Sequence, residues 1–126
     1  MSLTDIIEEK PGKLVQLRLW RFDGFAGPSA VEFIWENSDP IFLEVVEEDE
    51  TLRWVPNRAT GLMEMPLPDA LKSVLNLSRG FCLEMWNQQG YIDAFQLELF
   101  NDTTRKALQF ESGGNQLSIY ERLEIL

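Results

Sequence analysis

The 126-residue sequence contains no histidine, and that absence narrows its chemistry more than anything it contains. Histidine is the side chain that most often serves as general base near neutral pH, as the base of serine and cysteine triads, and as a zinc ligand. Lysine, aspartate, glutamate and tyrosine remain as acids and bases, so enzymatic chemistry is disfavoured without being excluded. The single cysteine, Cys82, cannot form an internal disulfide, which argues against a bridge-stapled secreted scaffold and for a reducing, cytoplasmic setting. No segment reaches the roughly 18 uncharged apolar residues of a membrane span. The N-terminal stretch carries Asp5, Glu8 and Glu9 where a secretory signal would be basic and then apolar. Positive charge is also scarce: 11 Lys and Arg stand against 21 Asp and Glu, for a formal net charge of -10. Phosphate backbones would be repelled over most of such a surface, so neither nucleic acid nor membrane is an expected partner. A basic protein surface is what this charge would attract, beside its ordinary role in solubility.

What is present suits a folded globule. Hydrophobic residues make up 44% and aromatic residues 11% of the chain, well above the composition of disordered sequences, and the length fits one domain spanning 1–126. Residues 3–10 form an amphipathic pattern that Pro11-Gly12 ends, which predicts a short helix. From Lys13 the period becomes two. Val15, Leu17 and Leu19 alternate with Gln16, Arg18 and Trp20, and the same rhythm over 30–36 sets Val31, Phe33 and Trp35 on one face. Residues 41–46 and 51–55 continue it, giving four strands in a meander. The stretch 56–68, with three prolines and a glycine, reads as a long surface connection. A helix over 69–77 ended by Gly80 comes next, then strands over 81–87, 91–100, 105–111 and 116–123. Their connections are too short for parallel crossovers, so pairing is antiparallel.

The expected fold class is thus α+β: a mainly antiparallel, strongly bent sheet of about eight strands with two short helices, in which partial closure to a barrel or pairing as a sandwich remain open. Trp20, Phe22, Ile34, Phe42, Trp86 and Phe100 fall on a second apolar face. Helices, a second sheet or the partner of a homodimer would each cover it.

Four features invite a chemical reading. The run Glu47-Glu48-Asp49-Glu50 offers carboxylates, but on a tight turn without the alternating ligand spacing of a calcium loop, so no metal is assigned to it. Asp93 breaks the buried face between Tyr91 and Phe95. A carboxylate there needs partners, and Arg53, Arg58 and Arg79 are available; a structural ion pair is the ordinary reading, and an acid/base or cation-binding group beside Tyr91 and Glu84 the functional one. The four tryptophans supply broad apolar area with a polar handle. Trp35 and Trp54 take core phases, whereas Trp20 and Trp86, with Glu48 and Asp49, mark a candidate binding surface. Cys82, with no histidine to activate it, reads as a small packed thiol. The glycine pairs at Gly24 and Gly27, and at Gly113 and Gly114, lack the lysine and strand-to-helix context of a phosphate loop, so no cofactor is expected.

In general look the chain is similar to small acidic bacterial proteins, some toxin-immunity proteins among them, an analogy that no motif carries. Acidity and surplus aromatics together lead to a non-enzymatic module that binds a basic protein, immunity-like or inhibitor-like. The alternative is a small-molecule or metal-dependent enzyme built around Asp93, Glu84, Tyr91 and Arg58, with 56–68 as a lid.

Overall fold

A period of two in the side chains produces strands, and the short turns between them produce antiparallel neighbours. The computed structural model describes residues 3–9, 12–46, 51–113 and 116–122. Within these, β1 (Leu14–Phe22), β2 (Ala30–Trp35), β3 (Ile41–Val46), β4 (Thr51–Val55) and β5 (Leu62–Met65) form one sheet in the order β4-β3-β2-β1-β5. A second sheet follows the chain directly, β6 (Ser78–Trp86), β7 (Ile92–Phe100), β8 (Arg105–Gly113) and β9 (Gln116–Arg122). Helices α1 (Leu3–Glu8) and α2 (Asp69–Lys72) are short. No helix among the described residues is long and apolar enough to cross a membrane.

Three expectations need correction. The mainly antiparallel α+β class is as expected, but the one sheet of about eight strands is two sheets with nine strands among the described residues, the two-sheet alternative left open above, and neither sheet closes. The surface connection over 56–68 contains β5, whose Leu62, Met63, Glu64 and Met65 pair with Phe22, Arg21, Trp20 and Leu19. The prolines that suggested a loop lie outside those four residues, where they cost no ladder hydrogen bond. The second helix stops at Lys72 rather than running on toward Gly80. Asn76 takes the left-handed backbone (φ 68°) that ends the following turns, its N–H donates to the Leu14 carbonyl at 2.6 Å, and Gly80 lies inside β6.

Register irregularities explain where simple alternation misplaces side chains. Leu14 pairs with Trp35 and Gln16 with Ile34, so β1 carries an extra residue at its start. Leu14 is therefore buried and Val15 exposed, and regular phasing resumes at Leu17.

The main core lies between the sheets. Leu17, Leu19, Val31, Phe33, Leu43 and Leu52 from the first sheet meet Phe95, Leu97, Leu99, Leu108, Phe110 and Leu117 from the second. Its centre is aromatic: the Phe33 ring meets Trp54 at 5.4 Å and Phe110 at 5.6 Å edge to face, and Trp54 meets Phe95 at 5.8 Å in the same manner. These distances lie in the range where ring quadrupoles add to area burial. A second, smaller cluster of Trp20, Ala30, Phe42 and Leu62 occupies the opposite face of the first sheet, with Val55 and Ala59 packed on it.

Truncating Phe33 removes a fully buried ring in contact with both sheets. Phe33→Ala is expected to lower stability by about 3 to 5 kcal/mol, read as a shift of the urea midpoint at unchanged slope; a loss below about 1 kcal/mol would contradict this account of the core.

Candidate functional site

The hairpin joining β6 to β7 is built by its turn residues. Gly90 supplies a positive φ of 86°, and its N–H donates to the Asn87 carbonyl at 3.1 Å. The Asn87 Oδ1 accepts from the N–H groups of Gln89 and Tyr91, both at 3.0 Å, so one amide side chain fixes the whole turn. Trp86 and Tyr91 stand on either side of it, 61% and 47% exposed.

Upstream, β6 is an outer strand of its sheet and carries an extra residue between Arg79 and Cys82, which pair with Leu99 and Leu97. This bulge restores the inward phase, so Cys82 packs on the core while Phe81 and Leu83 point outward, 77% and 53% exposed. The same device lets Arg79 and Glu84 both serve α1. The Glu84 carboxylate accepts from the Thr4 backbone N–H at 2.9 Å and from its hydroxyl at 3.0 Å. At the other end, Arg79 Nη2 donates to the Glu8 carbonyl at 3.5 Å. An anion at the start of a helix and a cation at its end match the orphaned groups of each terminus.

The proposed grouping of Asp93, Tyr91, Glu84 and Arg58 is not assembled as one centre. Glu84 is engaged with α1, and Arg58 lies on the first sheet, its guanidinium 4.0 Å from the Trp20 ring centroid. Asp93 is half-buried at a second irregularity, where Met85 pairs with Ala94 and Trp86 with Ile92, and its carbonyl accepts from the Ser112 hydroxyl at 3.2 Å. Of the other arginines named above as partners for it, Arg53 bonds Glu44 at 2.6 Å and Arg79 is held at α1. Among the described residues no cluster of three or more Cys, Asp or Glu is placed to hold a metal ion. Glu48 and Asp49 lie outside the described residues.

Trp20 is not on the surface: it is 7% exposed, roofed by Arg58, and its Nε1 donates to Glu32 Oε1 at 2.9 Å. Glu32 is itself only 5% exposed, and it lines an open pocket of about 600 Å³ with Arg18, Asp39, Pro40, Phe42, Pro56, Asn57 and Arg58. Sequence reasoning missed Glu32 and Arg18. The available signal was that both alternate onto the face of Trp20, where two charges among apolar neighbours call for a partner.

Burial pushes the Cys82 thiol up from 9.0 to about 11, with the nearby Arg79 guanidinium pulling the other way. No protein-family model, curated protein or solved structure matches this chain.

Two outcomes are expected. Trp20→Phe keeps an aromatic side chain, though a smaller one, and leaves the buried Glu32 oxygen without its donor, so stability should fall by about 1 to 3 kcal/mol in urea titration, with Trp20→Phe/Glu32→Leu recovering part of the loss. The Cys82 thiol should react with a disulfide reagent on the order of a hundredfold more slowly at pH 8 in the folded protein than in urea, because so little of it is thiolate. The unfolded chain gives up this proton near 9.0 and the folded chain holds it to about 11, so the thiol's contribution is complete below pH 9.0 and is lost as pH rises through that window.

Proposed function

We propose that this protein is a non-enzymatic binding module that captures a basic protein, in an immunity-like or inhibitor-like manner, through β6 and its hairpin. The observation that carries this reading is the run of exposed apolar side chains Phe81, Leu83, Trp86 and Tyr91 along one outer strand and its turn. Half of the large exposed hydrophobic residues among those described belong to this one segment. Scattered surface apolar residues need no explanation, whereas a concentration on one edge marks an interaction site. An outer strand also offers backbone donors and acceptors to an extended segment of a partner, and Trp and Tyr are the side chains that most often anchor interfaces.

The net charge of -10 selects the partner's sign. Two copies of this chain would repel one another on approach, so a basic surface is a better occupant of the edge than a second copy. The rival enzymatic reading around Asp93 has less support, with Glu84 engaged in holding α1 and Arg58 on the other sheet. A cytoplasmic setting accords with the free thiol of Cys82.

The test is affinity capture at low salt with the wild-type chain and with Phe81→Ser/Trp86→Ala, followed by titration of the purified partner. Trp86→Ala should weaken the complex by about tenfold or more, and raising salt should slow association of the wild type. Sedimentation should give a monomer mass for the free protein. Equal capture by the wild type and the double variant, or a dimer that Phe81→Ser disrupts, would overturn the reading.

A further inference from the structure

On the outer face of the first sheet, Arg18 of β1, Glu32 of β2 and Phe42 of β3 are neighbours in register across three strands. They form the floor of the 600 Å³ pocket, and Asp39, Pro40, Pro56, Asn57 and Arg58 form its rim. Its volume falls within the range of small-molecule sites, about 300 to 1,000 Å³. The lining holds two guanidiniums and two carboxylates, yet among the described residues neither guanidinium is ion-paired with either carboxylate. Three of the four, Arg18, Arg58 and Glu32, are instead steadied by a neutral group. With the Gln16 amide oriented to present its oxygen, that oxygen accepts from Arg18 Nε and Nη2, both at 3.0 Å. Arg58 rests on the Trp20 ring, and Glu32 accepts from Trp20 Nε1. These three charges are thus held in place and left with bonding capacity to spare, since a carboxylate can accept about four hydrogen bonds and a guanidinium can donate five; Asp39 adds an exposed carboxylate at the rim.

Such a lining discriminates by sign. A simple anion would meet Glu32 and Asp39 within the pocket and the field of a chain of net charge -10; a simple cation would meet Arg18 and Arg58. A ligand carrying both charges a few ångströms apart satisfies both pairs. We infer that this pocket binds a zwitterionic ligand of the amino-acid or dipeptide type, its carboxylate between Arg18 and Arg58 and its ammonium toward Glu32 and Asp39. Phe42, Pro40 and Pro56 offer apolar surface to the remainder of the molecule. The site is on the sheet that does not carry β6, and it is independent of the partner-binding proposal.

The experiment is calorimetric titration of the full chain with the common amino acids and a panel of dipeptides. At least one is expected to bind with a Kd below about 1 mM. Its N-acetyl derivative, which lacks the ammonium, and its C-terminal amide, which lacks the carboxylate, should each bind about tenfold or more weakly. Arg18→Gln and Glu32→Gln should each cause a loss of similar size. Glu32→Gln retains an acceptor for Trp20; if it fails to fold, Arg18→Gln and the two derivatives still decide the matter. Absence of binding across the panel up to about 1 mM would overturn the inference. So would derivatives that bind as tightly as the parent, or an unchanged affinity in Arg18→Gln.

Discussion

The fold depends on interlocking rings at the centre of its two sheets. Phe33 and Trp54 project from the first sheet, Phe95 and Phe110 from the second, and their edge-to-face contacts span the interface. Each sheet is a meander whose neighbouring strands are sequential, apart from β5 beside β1, so neither has a long crossover to tie it to the other. Backbone bonds tie them at the borders, as where the Leu117 N–H donates to the Pro28 carbonyl at 2.7 Å and Lys13 bridges Ser78; across the interior apolar burial does that work, and aromatic rings supply the most area per residue. With the inner faces committed to one another, the outward faces are what remains for recognition.

Those outward faces differ in kind. On the first sheet the outer surface is partly covered by the chain itself, because the segment after β4 returns over Trp20 and β5 brings Leu62 alongside. Polar side chains there are held at fixed positions around a concavity. On the second sheet, β6 presents apolar side chains directly to solvent, and its inward charges are used to seat α1. One surface is suited to enclosing something small and the other to lying against something large.

Much of this was legible in the residues. The two-residue rhythm located β2, β3, β4, β7 and β8 to within about two positions, and it placed Val31, Phe33, Trp35 and Leu43 in the core. What it missed has physical causes. Bulges at the start of β1, after Arg79 and at Asp93 add a residue to one strand without any signature in composition, and each one reverses the facing of its neighbours. Gly80 resembled a helix terminator, yet it lies in the β6 bulge, where an added Cβ would collide with the Glu98 carboxylate. The second-face aromatics were recognised, but not what covers Trp20, since its cover comes from residues about 40 positions later. The candidate grouping around Asp93 came from proximity in sequence and strand phase. Neither could reveal that Glu84 is occupied by a helix some 80 residues earlier.

The placement of β5 sets it apart from every other strand. Every other strand pairs with one adjacent in sequence, so those ladders close short loops, whereas β5 must find β1 across β2, β3 and β4. It is also only four residues long and lies at the sheet's border. A short border strand that must close a long loop gains few contacts for the chain it orders, the combination that goes with low local stability. β5 sets Leu62 beside Trp20, and the short segment leading into it carries Asn57 and Arg58 at the pocket's rim, so the wall of the pocket around Glu32 is anchored at one end by a single four-residue border strand.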